Sequence, residues 1–264
     1  MSTETPSHDQ ITIRQRLAAL FPQPAPDGPT DNRTAAITFV VGGIVSAFLF
    51  YANGRMYPFE EYQIVNVAAL FWLPIVAVML FCKQTPSEFG LRAGDRKLGW
   101  MWVAIGYLAM LPAVLVVAHN PEFTQYYVRR MTQPLAVTNW APFPYTGHPT
   151  VVSVAYYEIV MGVYFFCWEF FFRGFMLFGL ARGSKIGVWG AIILQTIPFT
   201  LLHWSLAPGA AKPGLETFGA ALGGPALGYL AFRTRTFFYG FLIHWLMAST
   251  LDLLVVWPHL AAIR

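Results

Sequence analysis

Long apolar stretches alternate with short polar ones along most of this chain. A helix needs about 20 apolar residues to cross a bilayer, and seven stretches approach or exceed that length. They lie at about 35–53, 62–82, 99–118, 151–180, 187–204, 215–232 and 237–257, and the second and third hold no charged residue at all. No internal repeat relates them. The pattern predicts an all-α polytopic membrane protein of about seven transmembrane helices, with a transmembrane domain over 35–264. Residues 1–34, "MSTETPSHDQITIRQRLAALFPQPAPDGPTDNRT", are polar and Pro-rich. They lack the basic start, apolar core and small-residue cleavage site of a signal peptide and read as a partly disordered cytoplasmic tail. The aromatic loop over 119–150 is expected to pack on the outer face, as a partial lid or re-entrant segment.

Composition agrees with the pattern. Of 264 residues, 56% are hydrophobic and 11% charged, against about 25% charged in a soluble domain. Lys and Arg set the orientation, since they concentrate in cytoplasmic loops. With the tail inside, the inner side holds eleven: Arg14, Arg16, Arg33, Lys83, Arg92, Arg96, Lys97, Arg182, Lys185, Arg233 and Arg235. The outer side holds five: Arg55, Arg129, Arg130, Lys212 and Arg264. That asymmetry predicts a multi-pass protein of the cell (inner) membrane, with its N-terminus cytoplasmic and its C-terminus outside. The pI of about 9.1 therefore reflects topology. The cations form no stripe that would bind nucleic acid, so the partner expected from composition is the lipid bilayer. Cys82 and Cys167 both fall in apolar spans and predict neither a disulfide framework nor a Cys-type zinc site.

Charge inside the spans is where chemistry is expected. An ionisable group at mid-helix costs about 2.5–3.5 kcal/mol on insertion scales, so it usually faces the bundle interior and marks function. Glu158, Glu169, Arg173, His203, Glu216, His244 and Asp252 are such groups, and all lie in 151–257. In "FFCWEFFFRGFML", Glu169 and Arg173 are four residues apart on one helical face, where they can pair. In "FTLLHW", Phe199 and His203 have the same spacing, and "HWLMASTLD" places His244, Ala248 and Asp252 on one stripe. A structural ion pair and two core histidines are the plain reading. A carboxylate and an imidazole around one water form a general base, and a second imidazole that donates a hydrogen bond can hold an oxyanion. Ser205 and Ser249 have no evident base arrangement, and there is no G-x-S-x-G. Two His and a carboxylate can also bind zinc, but no H-E-x-x-H helix is present.

The motifs "WEFFFR", "FTLLH" and "HWLMA", in that order on successive spans, resemble the CAAX-protease and bacteriocin-processing family of intramembrane proteases. Its signature is Glu-Glu-x-x-x-Arg, Phe-x-x-x-His and His-x-x-x-Asn. The Gly-rich "FGAALGGPALGYLAFRTRT" before the third motif is similar as well. The resemblance covers roughly 151–257. It implies a glutamate-dependent intramembrane endopeptidase, without a cofactor or metal, cutting a membrane-associated peptide or protein. In that reading Glu169 with His203 activates water, Arg173 orients Glu169, and His244 stabilises the oxyanion. Two family residues are missing: Trp168 stands in place of the first Glu and Ala248 in place of the Asn. Glu216 and Asp252 are the candidate substitutes or supporting acids, with helix capping as the alternative role for Glu216. The alternative for the whole chain is a catalytically inactive relative acting as an immunity, scaffold or regulatory membrane protein.

Overall fold

The computed structural model describes residues 30–55, 59–128, 150–204 and 212–259, and every element among them is helical. Most of the tail and much of the 119–150 loop lie outside the described residues. Seven long helices follow the seven apolar stretches. They are α1 (Asn32–Ala52), α2 (Phe59–Cys82), α3 (Arg96–Val117), α5 (Val151–Leu180), α6 (Gly187–Leu201), α7 (Gly214–Thr234) and α8 (Phe238–Val256). A short helix at 121–128, α4, was not expected from the pattern. Five of these helices have the length and apolarity to cross a membrane; α6, at 15 residues, is a shorter apolar helix. The chain is a multi-pass membrane protein.

Caps explain where several helices begin. The Asp31 carboxylate accepts from Thr34 N at 2.9 Å to open α1, and Asp95 accepts from Leu98 N at 3.0 Å to open α3. Thr150 and Ser153 exchange backbone and side-chain bonds at the start of α5. Each arrangement satisfies N–H groups that a helix start leaves without a partner.

Both ends of the bundle are laced by polar contacts. At one end Arg92 Nε donates to Arg235 O at 2.7 Å, Tyr239 OH donates to Ala93 O at 2.9 Å, and Asp31 N donates to Arg182 O at 2.9 Å. This end carries Arg33, Lys83, Arg96, Lys97, Lys185 and Arg233 as well. At the opposite end, Tyr127 on α4 donates to Glu216 on α7 at 2.7 Å. Among the described residues the cations therefore crowd one end.

Helix α5 runs through the middle. Phe170, Phe171, Phe172 and Phe175 have no exposed surface, whereas α1, α2 and α3 present residues such as Phe39, Leu80 and Leu108 outward, where lipid solvates them. Just after Glu169, α5 widens into a π-helical stretch over Phe170–Met176, a geometry that recurs at functional sites. Helices α6 and α7 meet where Gly224 and Gly228 leave room for Thr196 and Gln195. Helix α8 closes the bundle against α3 and α5, with Tyr107 OH and Thr250 Oγ1 paired at 2.8 Å and Trp245 Nε1 donating to Glu158 O at 3.1 Å.

Candidate active site

The centre of the site is Glu169, held at the end of the regular part of α5 with no exposed surface. Its Oε1 accepts twice: from Arg173 Nη1 at 3.0 Å, one turn along, and from His244 Nδ1 at 2.7 Å, across on α8. Its Oε2 makes no hydrogen bond to a described residue. Gly240 keeps the α8 backbone near that oxygen; a methyl group there would lie 3.7 Å from it. A carboxylate taking two charge-assisted or polar bonds on one oxygen keeps the other for water or substrate.

Arg173 is as buried as its partner. Its guanidinium lies over the Phe199 ring of α6, Cζ 3.8 Å from the centroid, a cation–π contact worth more in a desolvated setting. Nε and Nη2 have no described partner. Phe199 also meets both imidazoles, with ring centroids 4.9 Å from His203 and 6.2 Å from His244. The Phe-x-x-x-His spacing thus places one aromatic ring among the cation and the two histidines.

His203 follows the last turn of α6. Its Nδ1 is 2.8 Å from Phe199 O, an oxygen that only accepts, so Nδ1 carries the hydrogen and the neutral ring offers Nε2 as an acceptor. His244 has the same polarity for a different reason: its Nδ1 donates to the Glu169 carboxylate. Glu169 bonds directly to His244, whereas the sequence reading pairs it with His203 around a shared water. Trp168, where the family places its first Glu, faces His203 instead. Its ring is T-shaped to that imidazole at 6.0 Å, and its buried Nε1 makes no described hydrogen bond.

Neither candidate supporting acid takes part in the hydrogen bonds that join Glu169, Arg173 and His244. Glu216 is occupied on both oxygens, by Lys212 Nζ on Oε1 and by Tyr127 OH on Oε2. It stays near His203, because Thr217 Oγ1 donates to His203 O at 3.5 Å. Asp252 is buried on α8 eight residues beyond His244, about 12 Å along the axis at 1.5 Å per residue. Ala248 is a partly buried packing residue. Among the described residues no three His, Cys, Asp or Glu side chains converge as a metal-binding group.

Two contributors were missed in the sequence. Gln195 has no exposed surface, lies four and eight residues before Phe199 and His203 on one face of α6, and clamps α7 through Nε2 to Gly224 O at 3.1 Å. A lone Gln in an apolar span was the signal. Tyr127 sits in a loop rich in aromatic residues, and nothing in the local pattern singles it out.

Fold and site define a multi-pass helical bundle with a Glu–Arg–His cluster between α5, α6 and α8, its Glu169 and Arg173 fully buried and its His244 partly so. Residues 147–250 match the family described as Type II CAAX prenyl endopeptidase Rce1-like. That segment contains all three motifs, so the resemblance they carry is borne out where they stand. No curated protein and no solved structure matches the chain.

Proposed function

We propose that this protein is an intramembrane endopeptidase that hydrolyses a membrane-associated peptide or protein, with water activated by a Glu/His pair. The observation that carries the reading is the 2.7 Å bond between His244 Nδ1 and Glu169 Oε1, inside a bundle and backed by Arg173. A carboxylate that holds Nδ1–H fixes the tautomer, aims Nε2 outward and stabilises the imidazolium formed when Nε2 takes a proton; this is the logic of the carboxylate–histidine dyad. His244 is therefore the general base of the pair and Glu169 its partner, while Arg173 balances and orients Glu169. His203, with Nε2 also an acceptor, accepts the second hydrogen of the water, and the proton taken by His244 goes on to the leaving amine. Glu216 acts by anchoring the α7 end through Lys212 and Tyr127, and Asp252 supports α8.

The reaction adds water across the peptide bond. The water oxygen bonds to the carbonyl carbon as its proton goes to His244, the carbonyl electron pair moves onto oxygen, and its return expels the amine, which takes up the proton. The test is hydrolysis by purified protein in liposomes against a membrane-peptide mixture, reading new termini by mass spectrometry. Wild type is expected to generate new termini that Glu169→Gln and His244→Ala do not; equal cutting by all three would end the proposal.

A second reading, a non-catalytic relative with a regulatory or scaffold role, has Trp168 and Ala248 in its favour, since both replace polar family residues. It predicts a cellular phenotype that needs the protein but tolerates substitution of Glu169, His203 and His244.

The charge asymmetry supports the cell membrane with the basic end cytoplasmic.

A further inference from the structure

Hydrolysis of an amide needs a hydrogen-bond donor aimed at the oxygen that becomes negative. The geometry of the imidazoles leaves that place unfilled. In the neutral rings both Nδ1–H groups are committed, one to Phe199 O and one to Glu169 Oε1, so both Nε2 atoms are acceptors. Ala248 has no polar atom to offer. Arg173 retains unpartnered N–H groups, but its guanidinium is paired to Glu169 and stacked on Phe199.

Another unpartnered donor among the described residues lies beside His203. The indole of Trp168 is 4% exposed and packs among Tyr164, Phe172, Phe199 and His203 at centroid distances of 5.6, 5.1, 5.9 and 6.0 Å. A buried indole N–H usually finds an acceptor, and this one has none among the described residues. Its surroundings are aromatic, so no competing carbonyl or carboxylate holds it.

The geometry points to Trp168 as a catalytic residue whose Nε1–H donates to the carbonyl oxygen of the scissile bond and holds it as it becomes an oxyanion. The inference rests on the endopeptidase reading. It gives the substitution at position 168 a chemical sense: an acid beside His203 is replaced by a donor, while the donor at position 248 is replaced by a methyl group. Base work then lies with the Glu169–His244 pair and oxyanion work with Trp168, so the two departures from the family pattern compensate one another. No further reactant enters. The carbonyl π pair moves onto oxygen while water adds, Trp168 keeps its proton throughout, and the pair returns when the C–N bond breaks.

The experiment uses full-length protein in liposomes and the peptide that wild type cuts in the membrane-peptide mixture. Trp168→Phe keeps an aromatic ring and removes the N–H. It is expected to lower kcat about 100-fold, the usual effect of losing one oxyanion donor, with KM changed by less than about threefold, because the contact strengthens only in the transition state. Trp168→His, which retains a ring N–H, is expected to keep more activity than Trp168→Phe once both are normalised to folded protein. Wild-type kcat in Trp168→Phe, or Phe exceeding His, overturns the assignment while leaving the endopeptidase reading intact. A purely structural Trp168 would lower the folded fraction of both variants without separating kcat from KM. If wild type cuts nothing in the mixture, the endopeptidase reading fails and this inference fails with it.

Discussion

Glu169 and Arg173 form an ion pair with neither side chain exposed. Breaking such a pair from one side leaves an uncompensated buried charge, which costs about 3–5 kcal/mol, whereas replacing both partners is far milder. Arg173→Met is therefore expected to lower the thermal unfolding midpoint in detergent sharply. The double variant Glu169→Gln/Arg173→Met should recover part of that loss without recovering hydrolysis. A double variant no more stable than Arg173→Met alone would show that the pair is not what holds the α5 turn. The spacing of these two residues made the pair legible from the sequence. The partner across the bundle was not legible, because whether His203 or His244 reaches Oε1 depends on how α6 and α8 rotate about α5. Three inward-facing motifs identify the set of residues; only packing decides the bonds among them.

The same division holds for the elements. The apolar stretch 151–180 coincides with α5, and the other six differ from their helices by about three residues at most, because a membrane-spanning helix announces itself by length and apolarity. The π-helical turn after Glu169 and the short helix α4 were not announced. The first is a local change of winding within an apolar run, and the second lies in a loop without a hydrophobic period. Close helix approaches were equally silent. At Gly99 on α3 an added methyl would sit 2.2 Å from Tyr239 Cε2 on α8, while at Gly43 on α1 it would meet nothing within 4 Å. Gly99→Ala is expected to destabilise the bundle by about 1–3 kcal/mol through overpacking. Gly43→Ala should be neutral or stabilising by up to about 1 kcal/mol, since alanine is the better helix former. Thermal unfolding of the two variants side by side checks the α3–α8 contact.

For the whole molecule, the cations at one end and the Glu216–Tyr127–Lys212 contacts at the other define two faces, and the proposed orientation puts the basic one in the cytoplasm. Ser184 lies at the basic end, bonded to Asn32, and Glu122 at the opposite end, accepting from Gly214 N. In a background with the buried Cys82 and Cys167 replaced, Glu122→Cys should react with an impermeant thiol reagent on intact cells. Ser184→Cys should react only after the membrane is opened. The reverse pattern would invert the topology and move the α4 end of the bundle to the cytoplasm.

The central claim is that Glu169, held by Arg173 and bonded to His244, supports peptide hydrolysis inside the membrane. Its most direct test compares the termini of membrane-associated peptides in cells carrying wild type and cells carrying Glu169→Gln, with both proteins present in the membrane at equal levels. The account predicts at least one peptide that is shortened with wild type and stays full length with the variant. Identical sets of termini in the two strains would contradict it.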